Sequence, residues 1–174
     1  MTTALFFLVW GLATALALPL LLPFHARGIE GVRAFTVANA LAVLSLLAYA
    51  SADLVPLSLY VMVSNAAWLA AMSLVYVGVR QFFGLRPHAR RAAVAAAVGI
   101  LAMALMLYAT DNLVGRMTLF SGYTCVLMGA TGRVVYRQRQ RIQTPGVMLY
   151  VMLSMFGLAA LSALRAVVYG SGWV

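Results

Sequence analysis

The side chains that could do chemistry in this chain are few and scattered. The acids are Glu30, Asp53 and Asp111, and the histidines are His25 and His88. The acids fall in predicted loops on different sides of a helical chain, and the histidines are two predicted helices apart. No pair of them has the proximity that general acid–base work needs, and no cluster has metal-ligand spacing. Cys125 stands alone in an apolar run, so neither a disulfide nor a thiolate metal site forms within one chain. The expectation is a protein that is not an enzyme, without metal or cofactor.

The remaining candidates are polar side chains inside apolar runs. Arg165 lies near the end of the last run, where a cation either snorkels to the interface or binds an anionic group in a pocket. Asn39 and Asn65 lie near the middle of two runs, and an amide there needs partners in the bundle interior. They are interhelical clamps or the lining of a ligand cavity. Ser64, Trp68 and Tyr76 share a helical face with that second region and form either an aromatic-polar wall or plain packing. Tyr123 and Thr124, on the fifth run, are expected to approach the level of Arg165. The candidate ligand-binding set is therefore Asn39, Asn65, Trp68, Tyr123 and Arg165.

Composition fixes the elements that must position them. Of 174 residues, 65% are hydrophobic and only 9% charged, against roughly 45–50% and 25% in a soluble domain. At about 20 apolar residues per crossing, the chain is one integral membrane domain over 1–174, an all-α bundle of six spanning helices. Apolar runs and polar punctuation put these helices at 4–24, 34–52, 54–79, 92–110, 117–135 and 145–169. Barrel strands are excluded by the length of the runs. Pro19 and Pro23 bend or end the first helix, Pro56 and Pro145 sit in first turns, and Asp53 and Thr144 are their predicted caps. Met1-Thr2-Thr3 carries no basic residue ahead of the first run, which therefore reads as a retained helix rather than a signal peptide.

The net charge of +9 comes from twelve Arg and no Lys. Arg27 and Arg33 follow the first helix, Arg80, Arg86, Arg90 and Arg91 the third, and Arg133, Arg137, Arg139 and Arg141 the fifth. Only Arg116 and Arg165 remain for the other side. The positive-inside rule puts the ten in the cytoplasm and both chain ends outside. Short clusters between apolar runs argue against a nucleic-acid partner and for anionic lipid headgroups, which guanidinium groups bind well. Ala92, Ala95, Ala96 and Gly99 give small-residue spacing that serves the bundle or a homodimer seam. Tyr108, Tyr150, Tyr169 and Trp173 form an aromatic belt at helix ends.

The stretch SLYVMVSNAAWLAAMSLVYVGVRQFFG at 58–84, with Asn65, Gly78, Arg80, Phe83 and Gly84, resembles the N-terminal membrane modules of bacterial diguanylate cyclases. Ala38-Asn39, the Arg-rich exit after 133 and Leu164-Arg165 agree with it. The resemblance implies a sensory module of a bacterial cytoplasmic membrane with a cytoplasmic signalling output as partner. Such modules have a seventh helix leading into a GGDEF domain. This sequence reaches Gly170-Ser171-Gly172-Trp173-Val174 without either, so on this resemblance it is a sensory half without its output. The functional expectation is a signalling module that binds an apolar or amphiphilic ligand within the bundle. The alternatives are a small oligomeric transporter, against which stand the lack of mid-membrane acids and of an inverted repeat, and a structural membrane subunit.

Overall fold

The computed structural model describes residues 2–141 and 145–171, all in helices or the turns between them. In chain order these are α1 (Thr2–Ala15), α2 (Ala17–Ala26), α3 (Val32–Ala50), α4 (Leu57–Phe82), α5 (Ala89–Tyr108), α6 (Leu113–Arg137) and α7 (Pro145–Gly170). A single 3-10 turn, Arg139–Arg141, follows α6. Thr144 and Trp173 lie outside the described residues.

The first predicted helix is one apolar stretch broken at Leu16. Pro19 has no N–H to give the Ala15 carbonyl four residues back, and its ring crowds that carbonyl, so the regular ladder stops there. The stretch Leu5–Ala26 is still long and apolar enough to cross a membrane. So are Val32–Ala50, Leu57–Phe82, Ala89–Tyr108 and Leu149–Gly170. The chain thus has the character of a multi-pass membrane protein. The remaining rod, α6, is the least apolar, and its polar Ser121, Thr124 and Thr131 are buried against its neighbours instead of facing outward. Each of the two threonines returns its hydroxyl to its own helix, Thr124 to the Phe120 carbonyl at 2.9 Å and Thr131 to that of Leu127 at 2.7 Å.

Two predicted helix starts need correction. The helix after Pro56 begins at Leu57, not at residue 54. Pro56 itself occupies the cap with an extended ψ of 143°, no side chain caps the helix, and Asp53 is exposed in the preceding turn. The fifth predicted helix starts four residues earlier than 117. The Asn112 side chain accepts from the Gly115 amide at 2.7 Å and supplies the cap. At its end α4 closes with two bonds, Gly84 N–H to Gln81 and Leu85 N–H to Arg80, around a left-handed Gly84. That is a Schellman stop, which glycine adopts at least steric cost.

Packing runs α1 on α3, α3 on α4, α4 on both α5 and α6, and α6 on α7. Ala71 and Met72 of α4, Met128 of α6 and Ala159 of α7 form the central core, flanked by Leu41, Trp68 and Met155. Small residues and methionine let these backbones approach closely without a hydrophobic driving force between helices in lipid. Ala92, Ala96 and Gly99 of α5 are buried within the bundle; a Cβ on Gly99 would already touch Leu69 and Tyr123. A close backbone approach joins the start of α3 to α4. Gly31 holds a left-handed φ of 85°, and a Cβ there would stand 2.3 Å from the Gly78 carbonyl oxygen. The connections α2–α3, α4–α5 and α6–α7 fall at one end of the bundle, which carries ten of the arginines. The connections α3–α4 and α5–α6 fall at the other.

Candidate functional site

At the arginine-poor end, α3 and α4 part from α6 and α7 around a cavity of about 500 Å³. Its walls are aromatic and aliphatic: Phe7, Leu46, Tyr49, Tyr60, Trp68 and Phe120. The ring of Phe7 stacks on Tyr49 with centroids 5.0 Å apart, and Trp68 stacks on Phe120 at 6.2 Å. Asn65 joins the wall from α4, with its Oδ1 accepting from the Tyr49 hydroxyl at 3.0 Å. Such a volume lies in the range of roughly 300–1,000 Å³ in which pockets enclose small organic molecules.

Two cations reach this apolar space. Arg165, from α7, is exposed at the rim; its Nη2 donates to the Met117 sulfur at 3.0 Å, and the guanidinium lies 5.5 Å from the Tyr169 ring centroid and 6.0 Å from that of Phe120. Arg116, at the end of the first turn of α6, is only 7% exposed. One of its nitrogens, Nη2, stands 3.5 Å from a carboxylate oxygen of Asp111, a side chain 84% exposed. Asp111 gets there because the turn between α5 and α6 gives it a left-handed φ of 44°, a conformation that Asp tolerates better than most residues. Nε and Nη1 of Arg116 have no partner among the described residues, and neither has the buried Nε1 of Trp68.

Of the expected ligand-binding set, Asn65, Trp68 and Arg165 come together here. Asn39 does not: its Nδ2 donates to the Thr14 carbonyl at 3.0 Å and ties α3 to α1 just before the break at Leu16. Tyr123 is also elsewhere. Its hydroxyl meets Ser73 at 2.5 Å, and its ring lines a shallow groove between α5 and α6 beside Gly99 and Gly122. Ser64 is buried and returns its hydroxyl to the Val61 carbonyl. Tyr76 sits under Arg80 towards the opposite end.

Sequence reasoning missed Arg116 as a site residue, because the helix was expected to begin after it, at 117. One signal was present. The Asn112–Gly115 spacing marks a helix start, which puts a cation in a first turn where the helix dipole favours anions and where this helix has no acid.

The arginines of the other end behave differently. Arg86, Arg90, Arg91, Arg133, Arg137 and Arg139 are exposed. Arg80 is half-buried and donates through Nε to the Arg86 carbonyl at 2.6 Å, which holds the loop after α4. Arg139 lies over the Tyr136 ring at 4.4 Å. Beside them, exposed His88 has its pKa lowered, first by the charge of Arg80, then by slight desolvation and by Arg91 and Arg86. Among the described residues no group of His, Cys, Asp and Glu could hold a metal ion. Comparison with protein-family models, curated proteins and solved structures gave no match.

Proposed function

We propose that this chain is a membrane sensory module whose ligand is an apolar or amphiphilic molecule held in the cavity between α3–α4 and α6–α7. The observation that carries the reading is the position of that cavity. It is an apolar space with unpaired donors, and at the arginine-poor end it lies between the closely packed helix pairs α3–α4 and α6–α7. A molecule seated there touches both pairs at once. It therefore favours whichever packing of the pairs accommodates it, which is what coupling a ligand to a distant readout requires. The resemblance to the input modules of diguanylate cyclases supports the same reading and supplies the form of the output, a cytoplasmic partner. The excess of arginine at the opposite end supports an orientation with that end in the cytoplasm and the cavity near the outer face. The exposed arginines there then also meet anionic lipid headgroups.

The test is a distance measurement across the far end. With Cys125→Ala, spin labels at Phe82 and Tyr136, both exposed near the ends of α4 and α6, report the separation of the two pairs. Dodecanoate or dodecanol in excess is expected to shift that distance by about 1–2 Å, the scale of helix shifts in switching proteins. An unchanged distribution with both amphiphiles would overturn the reading.

A further inference from the structure

We infer that the cavity selects a single-tailed amphiphile with a monoanionic head, a carboxylate on one hydrocarbon chain, and that Arg116 is the ion partner of that head. The inference rests on the cavity being the ligand site and adds the chemistry of what fills it.

Arg116 is where it starts. Burying a guanidinium is costly unless it is paired and hydrogen-bonded. Here the only ionic partner is a largely solvated carboxylate at 3.5 Å on one nitrogen, and two nitrogens have no partner among the described residues. The helix gives no help, since its first turn repels a cation. Nothing within the described chain completes the environment of this group, and it lines the cavity.

Other unpaired polar groups of the wall have the same character. Indole Nε1 of Trp68 is a donor only. The acceptor of the Asn65 amide is already taken by Tyr49, which leaves its NH2, again a donor. The buried atoms of the wall left unpaired are all donors, which suits a head that is all acceptor. An ionised carboxylate is such a head, whereas an ammonium offers only donors and an alcohol a single oxygen. The charge agrees. Arg116 and Arg165 stand against Asp111 alone, and one negative charge offsets the single positive charge left over.

The walls set the tail. Phe7, Leu46, Leu57, Val61 and Phe120 make much of the remaining wall, and its other polar side chains, Ser45, Tyr49 and Tyr60, are uncharged hydroxyls that offer no ion partner to a second charged head. If each methylene takes roughly 30 Å³, the share of one water in the liquid, a cavity of about 500 Å³ encloses one chain of about twelve carbons with its head and does not enclose two.

The experiment uses the full chain in nanodiscs of phosphatidylcholine, with Trp10→Phe and Trp173→Phe so that only Trp68 emits. Quenching by ω-bromododecanoate is followed while dodecanoate or dodecanol competes. Quenching of Trp68 should saturate, and dodecanoate should displace the probe about ten-fold better than dodecanol, the factor one charge-assisted hydrogen bond supplies. Arg116→Gln should bring the two competitors within about two-fold of each other, and Arg165→Gln at the rim should reduce the preference by about three-fold. Equal displacement by both in the unsubstituted cavity overturns the headgroup claim and leaves a cavity that binds chains. Quenching that neither displaces overturns the cavity reading as well. The ratio in the unsubstituted cavity decides the headgroup claim alone, so an Arg116 variant that does not fold leaves the test intact.

Discussion

The two ends of the bundle use arginine in opposite ways. At one end ten arginines crowd the turns, and those whose side chains are described are exposed or half-buried, spent on solvent, a carbonyl or an aromatic face. At the other end there are two, Arg116 and Arg165, and both line one apolar cavity. The ends also differ in packing. The arginine-rich end is pinned by the Gly31–Gly78 contact, while the helix pairs at the arginine-poor end part around the cavity. A guanidinium in water reports which way a chain faces, whereas one in a desolvated wall, short of partners, marks a site. A count of charges per loop treats the two alike.

The strongest way to break this contrast is to loosen the pinned end. Gly31→Ala adds a Cβ against the Gly78 carbonyl and also strains a left-handed backbone. Backbone strain and overpacking together should lower the unfolding free energy by about 2–4 kcal/mol, read as the denaturant or thermal midpoint in detergent. A loss under about 0.5 kcal/mol would mean that α3 is free to shift along α4, and that this end is no tighter than the other.

Next comes the cavity itself. Replacing a buried, incompletely paired ion with an apolar side chain of similar volume is often stabilising, so Arg116→Met should raise stability without ligand by about 1–3 kcal/mol. Arg90→Gln or Arg91→Gln, at exposed positions, should change it by less than about 0.5 kcal/mol. The same thermal scans check all three. A clear loss of stability in Arg116→Met would make that side chain a structural tie and erase the difference between the ends.

A smaller effect is expected where α6 begins. Asn112→Ala removes the side chain that accepts from Gly115 and should cost about 1 kcal/mol. Because Arg116 lies four residues on, hydrogen exchange should rise through residues 113–116 and leave the end near Arg137 unchanged. Uniform exchange along α6 would mean that the cap does not position Arg116.

These expectations show what the sequence made legible. Helices in lipid must be long, apolar and complete, so the six rods could be read from runs and punctuation, and Pro19 announced the break in the first. Asn39 and Asn65 were legible as buried amides in need of partners. Which partners they find was not, because that depends on how neighbouring helices are rotated: Asn39 reaches the Thr14 carbonyl, while Asn65 meets Tyr49 within the α3–α4 wall of the cavity. Arg165 stood out inside an apolar run. Arg116 did not, because a shift of four residues in one helix boundary moved it from loop to wall. Nothing in the spacing of 116 and 165 along the chain announces that they line one cavity; that follows from α6 packing against α7.

The finest probe of the contrast is His88, which caps α5 with a left-handed φ of 51° among exposed arginines. Repulsion from Arg80, with desolvation, Arg91 and Arg86 behind it, lowers its pKa from the ordinary 6.5. The folded protein therefore takes up this proton less readily than the unfolded chain. Its contribution to stability is complete above pH 6.5 and is lost as pH falls through that value towards the lower folded one. An NMR titration in zwitterionic nanodiscs should give a midpoint below that of a free histidine, and Arg80→Gln should raise it. Anionic lipid should raise it too, by placing phosphate among the arginines and offsetting their field. If anionic lipid left the midpoint in place while Arg80→Gln moved it, the arginines would act on His88 without holding headgroups. This end would then be a topology signal alone, and the sharper distinction would lie between arginines that bind nothing and the pair at the cavity.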